Sequence, residues 1–271
     1  MPATMTTASP GSTASRPYVL AECTWAAVRE TPYELAVLPW GATEAHNTHL
    51  PYATDTIESD AIAIASAARA WERGARVVVL PAVPFGVNTG QREIPLCLNM
   101  NPRTQLALVR DLAECIRPHG IRKLVILNGH GGNDFRQMIR ELAPVVDLLI
   151  VQVNWYQSVK ATDFFDEPGD HAGELETSLM LEVAPSLVRP PKEWGAGEAK
   201  QFRIAAMREG WAWTQRHWVE VTEDTGVGNP RAATRKKGKR YLHAVTDRVA
   251  GFLVELAEID PRDLYEPRGG E

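Results

Sequence analysis

Four short apolar runs, at residues 35–39, 76–81, 123–127 and 148–153, alternate with longer stretches of helical period, and this alternation restricts the chain to few folds. The runs are leucine-rich or β-branched and are bounded by turn residues, as strands buried on both faces are. Helices are expected between them at 56–73, which ends at Gly74, at 102–118, where Asn101 stands at the cap and Pro102 at the first helical position, and at 134–142. Strand, helix, strand, helix with continuous apolar strands predicts an α/β fold, a three-layer α/β/α sandwich with a mostly parallel central sheet. A last amphipathic helix is expected over 231–258, with Val245, Val249, Phe252, Leu253 and Leu256 at core spacing. Residues 1–16 are rich in Ala, Ser, Thr, Pro and Gly and read as a disordered tail; 17–271 read as one domain.

The region 185–230 is less regular and holds Trp194, Trp211, Trp213 and Trp218, which read as peripheral packing or a subunit interface in preference to a substrate lid. With 29 basic against 34 acidic side chains and a formal charge of -5, no broad surface for nucleic acid or anionic membrane is expected. The basic run at 235–240 reads as the solvated start of the last helix. Three widely spaced cysteines, Cys23, Cys97 and Cys115, suggest neither a disulfide framework nor a cysteine zinc cluster, and they suit a reducing, cytoplasmic compartment. No uncharged apolar run approaches the ~18 residues a bilayer span requires.

Three clusters carry candidate chemistry. After the first strand come Glu44, His46, His49 and Asp55, at the place where open α/β sheets bind ligands. Imidazole and carboxylate together suit Zn, Mn or Fe(II). Asp55 alone reads as a helix cap; the whole cluster points to a metal. After the third strand stands Asn128-Gly129-His130-Gly131-Gly132-Asn133, whose glycines permit a sharp turn that projects His130 and frees the amides of Gly131 and Gly132 to stabilise an oxyanion. It has neither P-loop nor dinucleotide-fold spacing. The third cluster, 170–178, sets His171 on a loop as a proton carrier and Glu176 in the first turn of a helix; Asp170 or Thr177 as caps and solvated Glu174 and Glu176 are the plainer alternative.

Read together, these segments resemble the creatininase (creatinine amidohydrolase) family, whose members share Gly-Ser/Ala-x-Glu-Gln-His-Gly-x-His-Leu-Pro followed by Thr-Asp, then Asn-Gly-His-Gly-Gly-Asn, then His-Ala-Gly-x-x-Glu-Thr-Ser. The segment 225–234 is similar to the family's TGVxGDPxxAT stretch. The resemblance implies a three-layer α/β/α fold, a homo-oligomer that is often a hexamer, and hydrolysis of a C–N bond in a small cyclic amide, formamide or related compound through a metal-activated water. It implies one or two divalent ions (Zn, Mn or Fe(II)), with Glu44 and His130 helping to hold one, His46 the other and Asp55 bridging. Gly132 stands where creatininase has a further glutamate, which leaves Glu176 as the remaining carboxylate ligand, and His171 matches the proton donor. Trp155 corresponds loosely to a tryptophan over the substrate ring. The chain departs from the family at Ala45, Asn47 and Thr48, and at 88–95, where many members carry Ser-x-x-His-x-x-Phe-Pro-Gly-Thr; that segment shapes the substrate pocket. Lactam opening, formamidopyrimidine deformylation and cleavage of a terminal peptide bond stay open as reactions. A non-catalytic, metal-containing binding or structural protein of the same fold is the alternative from another class.

Overall fold

The computed structural model describes residues 16–266. Its sheet has four strands, β1 (Leu35–Trp40), β2 (Val77–Val79), β3 (Lys123–Asn128) and β4 (Leu149–Asn154), in the order β2-β1-β3-β4. All pairings are parallel, with Val37 beside Val79 and Val125, and Val125 beside Val151. The expected disordered tail, 1–16, lies outside the described residues except for Arg16, whose guanidinium pairs with Glu22.

Side chains leave a strand alternately to its two faces, and both faces here are covered. Leu35, Val37, Val77, Val79, Val125 and Leu127 pack against Ile62, Ala63 and Ala67 of α2 (Thr54–Glu72), Leu179 of α5 (Glu174–Val183) and Tyr241, Val245, Val249 and Leu253 of α8 (Arg235–Glu258). Ala36, Leu38, Trp40, Leu124 and Ile126 face the other way, onto Val109 and Ala113 of α3 (Pro102–Ile116) and Met138 and Leu142 of α4 (Arg136–Leu142). The result is the three-layer α/β/α sandwich with a parallel sheet. A short helix, α1 (Trp25–Glu30), precedes the sheet, and α6 (Ala205–Arg208) and α7 (Trp218–Val221) lie in the tryptophan-rich region. Among the described residues no helix is long and apolar enough to cross a membrane.

Several boundaries differ from expectation for local reasons. Helix α2 begins at Thr54, because the Pro51 carbonyl accepts from both the amide and the hydroxyl of Thr54, so Asp55 belongs to the first turn. Helix α4 begins after Asp134, whose carboxylate accepts from the Arg136 amide. Helix α8 begins after Thr234, which caps it by accepting from the Lys237 amide at 3.2 Å. The basic run at its start is not merely solvated. Arg235 pairs with Glu182 at 2.7 Å, and Lys237 pairs with Asp166 at 2.9 Å and with the buried Glu174, so acids of α5 and the preceding loop offset the positive end of the helix dipole.

Candidate metal centre

The sheet order places β2 and β3 on opposite sides of β1, so chain direction across the sheet reverses between β1 and β3. The loops that leave the carboxyl ends of these two strands diverge there and border a cavity of about 1100 Å³, whose lining includes Glu44, Asp55, His130, His171 and Glu176. Two close approaches shape its floor. A side chain at Gly41 would overlap the backbone of Thr56, so glycine lets the loop after β1 lie against the first turn of α2. One at Gly132 would overlap the Val87 carbonyl and press on His130.

At this cavity the predicted metal-binding residues come together, with Glu44, Asp55, His130 and Glu176 in its lining and His46 fully buried behind them. Asp55 presents one carboxylate oxygen to His46 Nε2 at 2.8 Å and the other to His130 Nδ1 at 3.0 Å. Glu44 Oε1 lies 2.9 Å from His130 Nδ1 and 4.0 Å from His46 Nε2, and Glu176 Oε1 lies 3.9 Å from His46 Nε2. Ligand atoms of Glu44, Asp55 and His130 fall within 4.8 Å of one another, and so do those of His46, Asp55 and Glu176. These are two triads that share Asp55. A third such group joins Glu44, His46 and His171. His49 turns away instead, bonding Thr177 Oγ1 at 2.8 Å and stacking on Trp194, and burial pushes its pKa down to about 4.

Each of the three histidines is held by a backbone carbonyl. His46 Nδ1 meets the Glu44 carbonyl at 3.1 Å, His130 Nε2 the Val87 carbonyl at 3.1 Å, and His171 Nε2 the Ala45 carbonyl at 2.8 Å. A carbonyl only accepts, so those nitrogens carry hydrogen and the opposite nitrogens, Nε2 of His46 and Nδ1 of His130 and His171, face the carboxylates. Histidines that ligate metals are oriented in this way. The Asn128-to-Asn133 turn supplies the frame: Asn128 Oδ1 accepts from the His130 amide at 3.2 Å and from Asn133 Nδ2 at 2.9 Å, while Asn133 Oδ1 accepts from the Val87 amide at 3.0 Å. The paired asparagines flanking the glycines were the sequence signal for that frame.

The charge balance of the cluster also calls for a cation. Burial opposes a charge on His46, yet the Asp55 carboxylate outweighs it and lifts its pKa to about 10. Burial likewise opposes a charge on His130, and Glu44 and Asp55 outweigh it, raising its pKa well above the ordinary value. Burial raises Glu176, and His46 partly offsets that. Without an ion, protons on imidazole supply the positive charge that the carboxylates require. A divalent ion would take over that charge and release those protons. The donor set, its burial and the orientation of its nitrogens therefore fit a divalent metal.

The remaining expectations sort differently. Asp55 caps nothing: its oxygens go to histidines, and the N-cap of α2, Ala53, has no side-chain bond. Glu176 Oε2 accepts from the Ala172 amide, while Glu174 is fully buried, accepting from the Glu167 amide at 2.8 Å, so neither is simply solvated. Gly131 and Gly132 both border the cavity. Trp155, expected over a substrate ring, touches the cavity but is 1% exposed, donating to Ser59 Oγ at 3.2 Å and packing edge-on to Tyr156 and Tyr241. The tryptophans of the cavity wall are Trp213 and Trp218, from the segment expected to be peripheral, and Trp218 meets the His171 ring edge-on at 4.7 Å. Trp194 does pack, against His49. Nothing local in the 202–218 sequence marks it as a cavity wall, because its position depends on a long-range docking contact. There a side chain at Gly90 would overlap the Arg216 carbonyl.

Fold and cluster together define a three-layer α/β/α protein with a buried imidazole–carboxylate centre at the reversal point of its sheet. The family model for creatininase (creatinine amidohydrolase) matches residues 21–253, and the chain belongs to that family. It is 30% identical over 221 residues to the mycofactocin precursor peptide peptidase of Mycobacterium tuberculosis, an alignment covering 78% of this chain and 81% of the relative. A crystal structure from Bacteroides fragilis, of a protein described as a candidate creatinine amidohydrolase, superposes with a TM-score of 0.86 at 45% identity, covering 93% of this chain and 99% of that one. A creatininase in a manganese form superposes with a TM-score of 0.68 at 22% identity, covering 89% and 99%, a likeness of fold.

Proposed function

We propose that the chain is a metal-dependent amidohydrolase that cleaves a C–N bond in an amide held in the cavity, with Glu44, His46, Asp55, His130 and Glu176 as metal ligands. The observation that carries this reading is the set of three histidines, each anchored by a backbone carbonyl and turning its other nitrogen onto shared carboxylates. Creatininase structures in manganese and zinc forms are in keeping with a divalent ion at such a cluster. Bound divalent ions lower the pKa of a coordinated water from about 15.7 toward ~7 and polarise a carbonyl oxygen.

The chain's own groups do the rest. His171 keeps Nε2–H on the Ala45 carbonyl, so Nδ1, 3.8 Å from Glu44 Oε1, is the nitrogen that takes up a proton and delivers it to the leaving nitrogen. Its ring is held between His46, at 4.1 Å between centroids, and the edge of Trp218, which fixes the direction of that transfer. Gly131 and Gly132 border the same cavity, and their amides would stabilise charge on the carbonyl oxygen. Trp218, rather than Trp155, offers its surface to substrate.

Within C–N hydrolysis, the cavity of about 1100 Å³ exceeds what a single small ring fills, since pockets of ~300–1000 Å³ enclose drug-sized ligands. That volume favours an amide carried on a longer, peptide-like molecule, in keeping with the peptidase name of the mycobacterial relative. The deciding experiment removes metal with chelator and restores Mn or Zn, with turnover followed on cyclic amides, formamides and short peptides. His171→Ala is expected to keep the full metal content and lose about 100- to 10,000-fold in kcat. Metal lost together with activity would make His171 a ligand instead. Homo-oligomeric assembly is proposed on family membership and is measured by light scattering.

A further inference from the structure

The two oxygens of Glu44 have different partners. Oε1 faces His130 Nδ1 at 2.9 Å, while Oε2 accepts a hydrogen bond from the side-chain amide of Gln91. The Gln91 carbonyl oxygen in turn accepts from the Cys97 thiol at 3.3 Å, and Cys97 Sγ accepts from the Ala45 amide at 3.2 Å, which closes a ring back to the residue after Glu44. Gln91 is 2% exposed, Glu44 1% and Cys97 9%, so water does not compete for these bonds. The carboxylate also fixes the amide's orientation: Glu44 Oε2 can only accept, which turns the Gln91 NH2 toward it and leaves the Gln91 carbonyl oxygen to the thiol.

Gln91 is itself rigidly held. The turn Thr89–Gln91 starts at Asn88, whose side chain donates to the Leu98 carbonyl at 3.1 Å and whose amide donates to Asn99 Oδ1 at 2.8 Å. From the outside, Gly90 lies directly against the Arg216 carbonyl of the cavity wall. The loop after β1 thus brings the carboxylate, the loop after β2 brings its partner, and Gln215 and Arg216 pack against the latter at Gly90.

We propose that Gln91 is the positioning residue for Glu44: by occupying Oε2 it leaves Oε1 alone to ligate, and so holds Glu44 as a one-oxygen ligand for the ion shared with His130 and Asp55. This rests on the metal-centre reading above. Losing a hydrogen-bond partner of a ligating carboxylate typically weakens metal binding by about 10- to 100-fold. The test titrates the chelator-stripped full chain with Mn(II), reading affinity and stoichiometry, for wild type, Gln91→Leu, Gln91→Met and Glu44→Ala; the last identifies the binding event that depends on Glu44. Both Gln91 variants are expected to weaken that same event by about 10- to 100-fold and leave any other unchanged. The Met variant keeps the length of the glutamine while removing the donor, so it reports on the hydrogen bond even if the Leu variant fails to fold. Wild-type affinity in Gln91→Met overturns the positioning role. A wild-type chain that binds no Mn(II) overturns instead the metal reading beneath it.

Discussion

Asp55 Oδ2, in the first turn of α2, lies 3.0 Å from His130 Nδ1 on the turn that follows β3. The other oxygen of the same carboxylate lies 2.8 Å from His46 Nε2, so one side chain joins a helix to loops from two neighbouring strands. Neither triad is complete without it.

Because Asp55 belongs to both triads while Glu44 and Glu176 each belong to one of them, the variants should separate. Asp55→Ala is expected to lose all bound divalent metal. Glu176→Ala should lose only the ion shared with His46, and Glu44→Ala only that shared with His130. Elemental analysis of the purified chains measures this, and full occupancy in Asp55→Ala would rule out the bridging assignment.

The ion-free chain should become less stable in alkali. His46 titrates near 10 when folded against 6.5 when free, so its contribution is fully present below pH 6.5 and is lost as pH rises through about 10. The melting temperature of the chelator-treated chain should therefore fall across that window. Loading with Mn(II) should flatten the fall, since an ion replaces the proton. His46→Gln should flatten it as well; an unchanged slope in that variant would show that the dependence arises elsewhere.

Glu58, one helical turn beyond Asp55, is fully buried and neither of its carboxylate oxygens has a partner. Burial, reinforced by Glu176 and Asp55, raises its pKa well above 4.5. The unfolded chain ionises there first, so Glu58 lowers stability progressively as pH rises above 4.5 toward its folded pKa. Glu58→Gln is expected to melt several degrees higher at neutral pH, at about 2–4 °C per kcal/mol for a chain of this size, and to match wild type at pH 4.5 and below. A constant difference across pH would point to packing rather than ionisation.

Much of this protein was legible along the chain because the relevant physics is local. Strands such as residues 35–39 and 123–127 announce themselves by continuous apolar runs, and the parallel, doubly covered sheet follows from their alternation with helices. Glu44, His46, Asp55, His130 and Glu176 were equally visible as candidates, since each follows a strand or opens a helix at the end of the sheet where α/β folds bind ligands. What stayed hidden involves contacts between segments far apart in sequence. Gln91 looks like any loop residue until the loop after β2 is laid beside Glu44. Trp155 and Trp218 exchange their expected places, one enclosed by α8 and one facing His171, because burial is set by which elements pack together and not by residue type.

The sequence by itself determined the layers of the fold and the chemical identity of the candidate donors, through patterns with the periods of strand and helix and through short motifs at their ends. Only the tertiary structure decided how these groups meet: which oxygen of Asp55 faces which histidine, which nitrogen of each imidazole is tied to a carbonyl, and that Oε2 of Glu44 is taken by Gln91. Those outcomes depend on distances of about 3 Å between segments brought together by the packing of α2 and the strand-end loops, and no local preference specifies them.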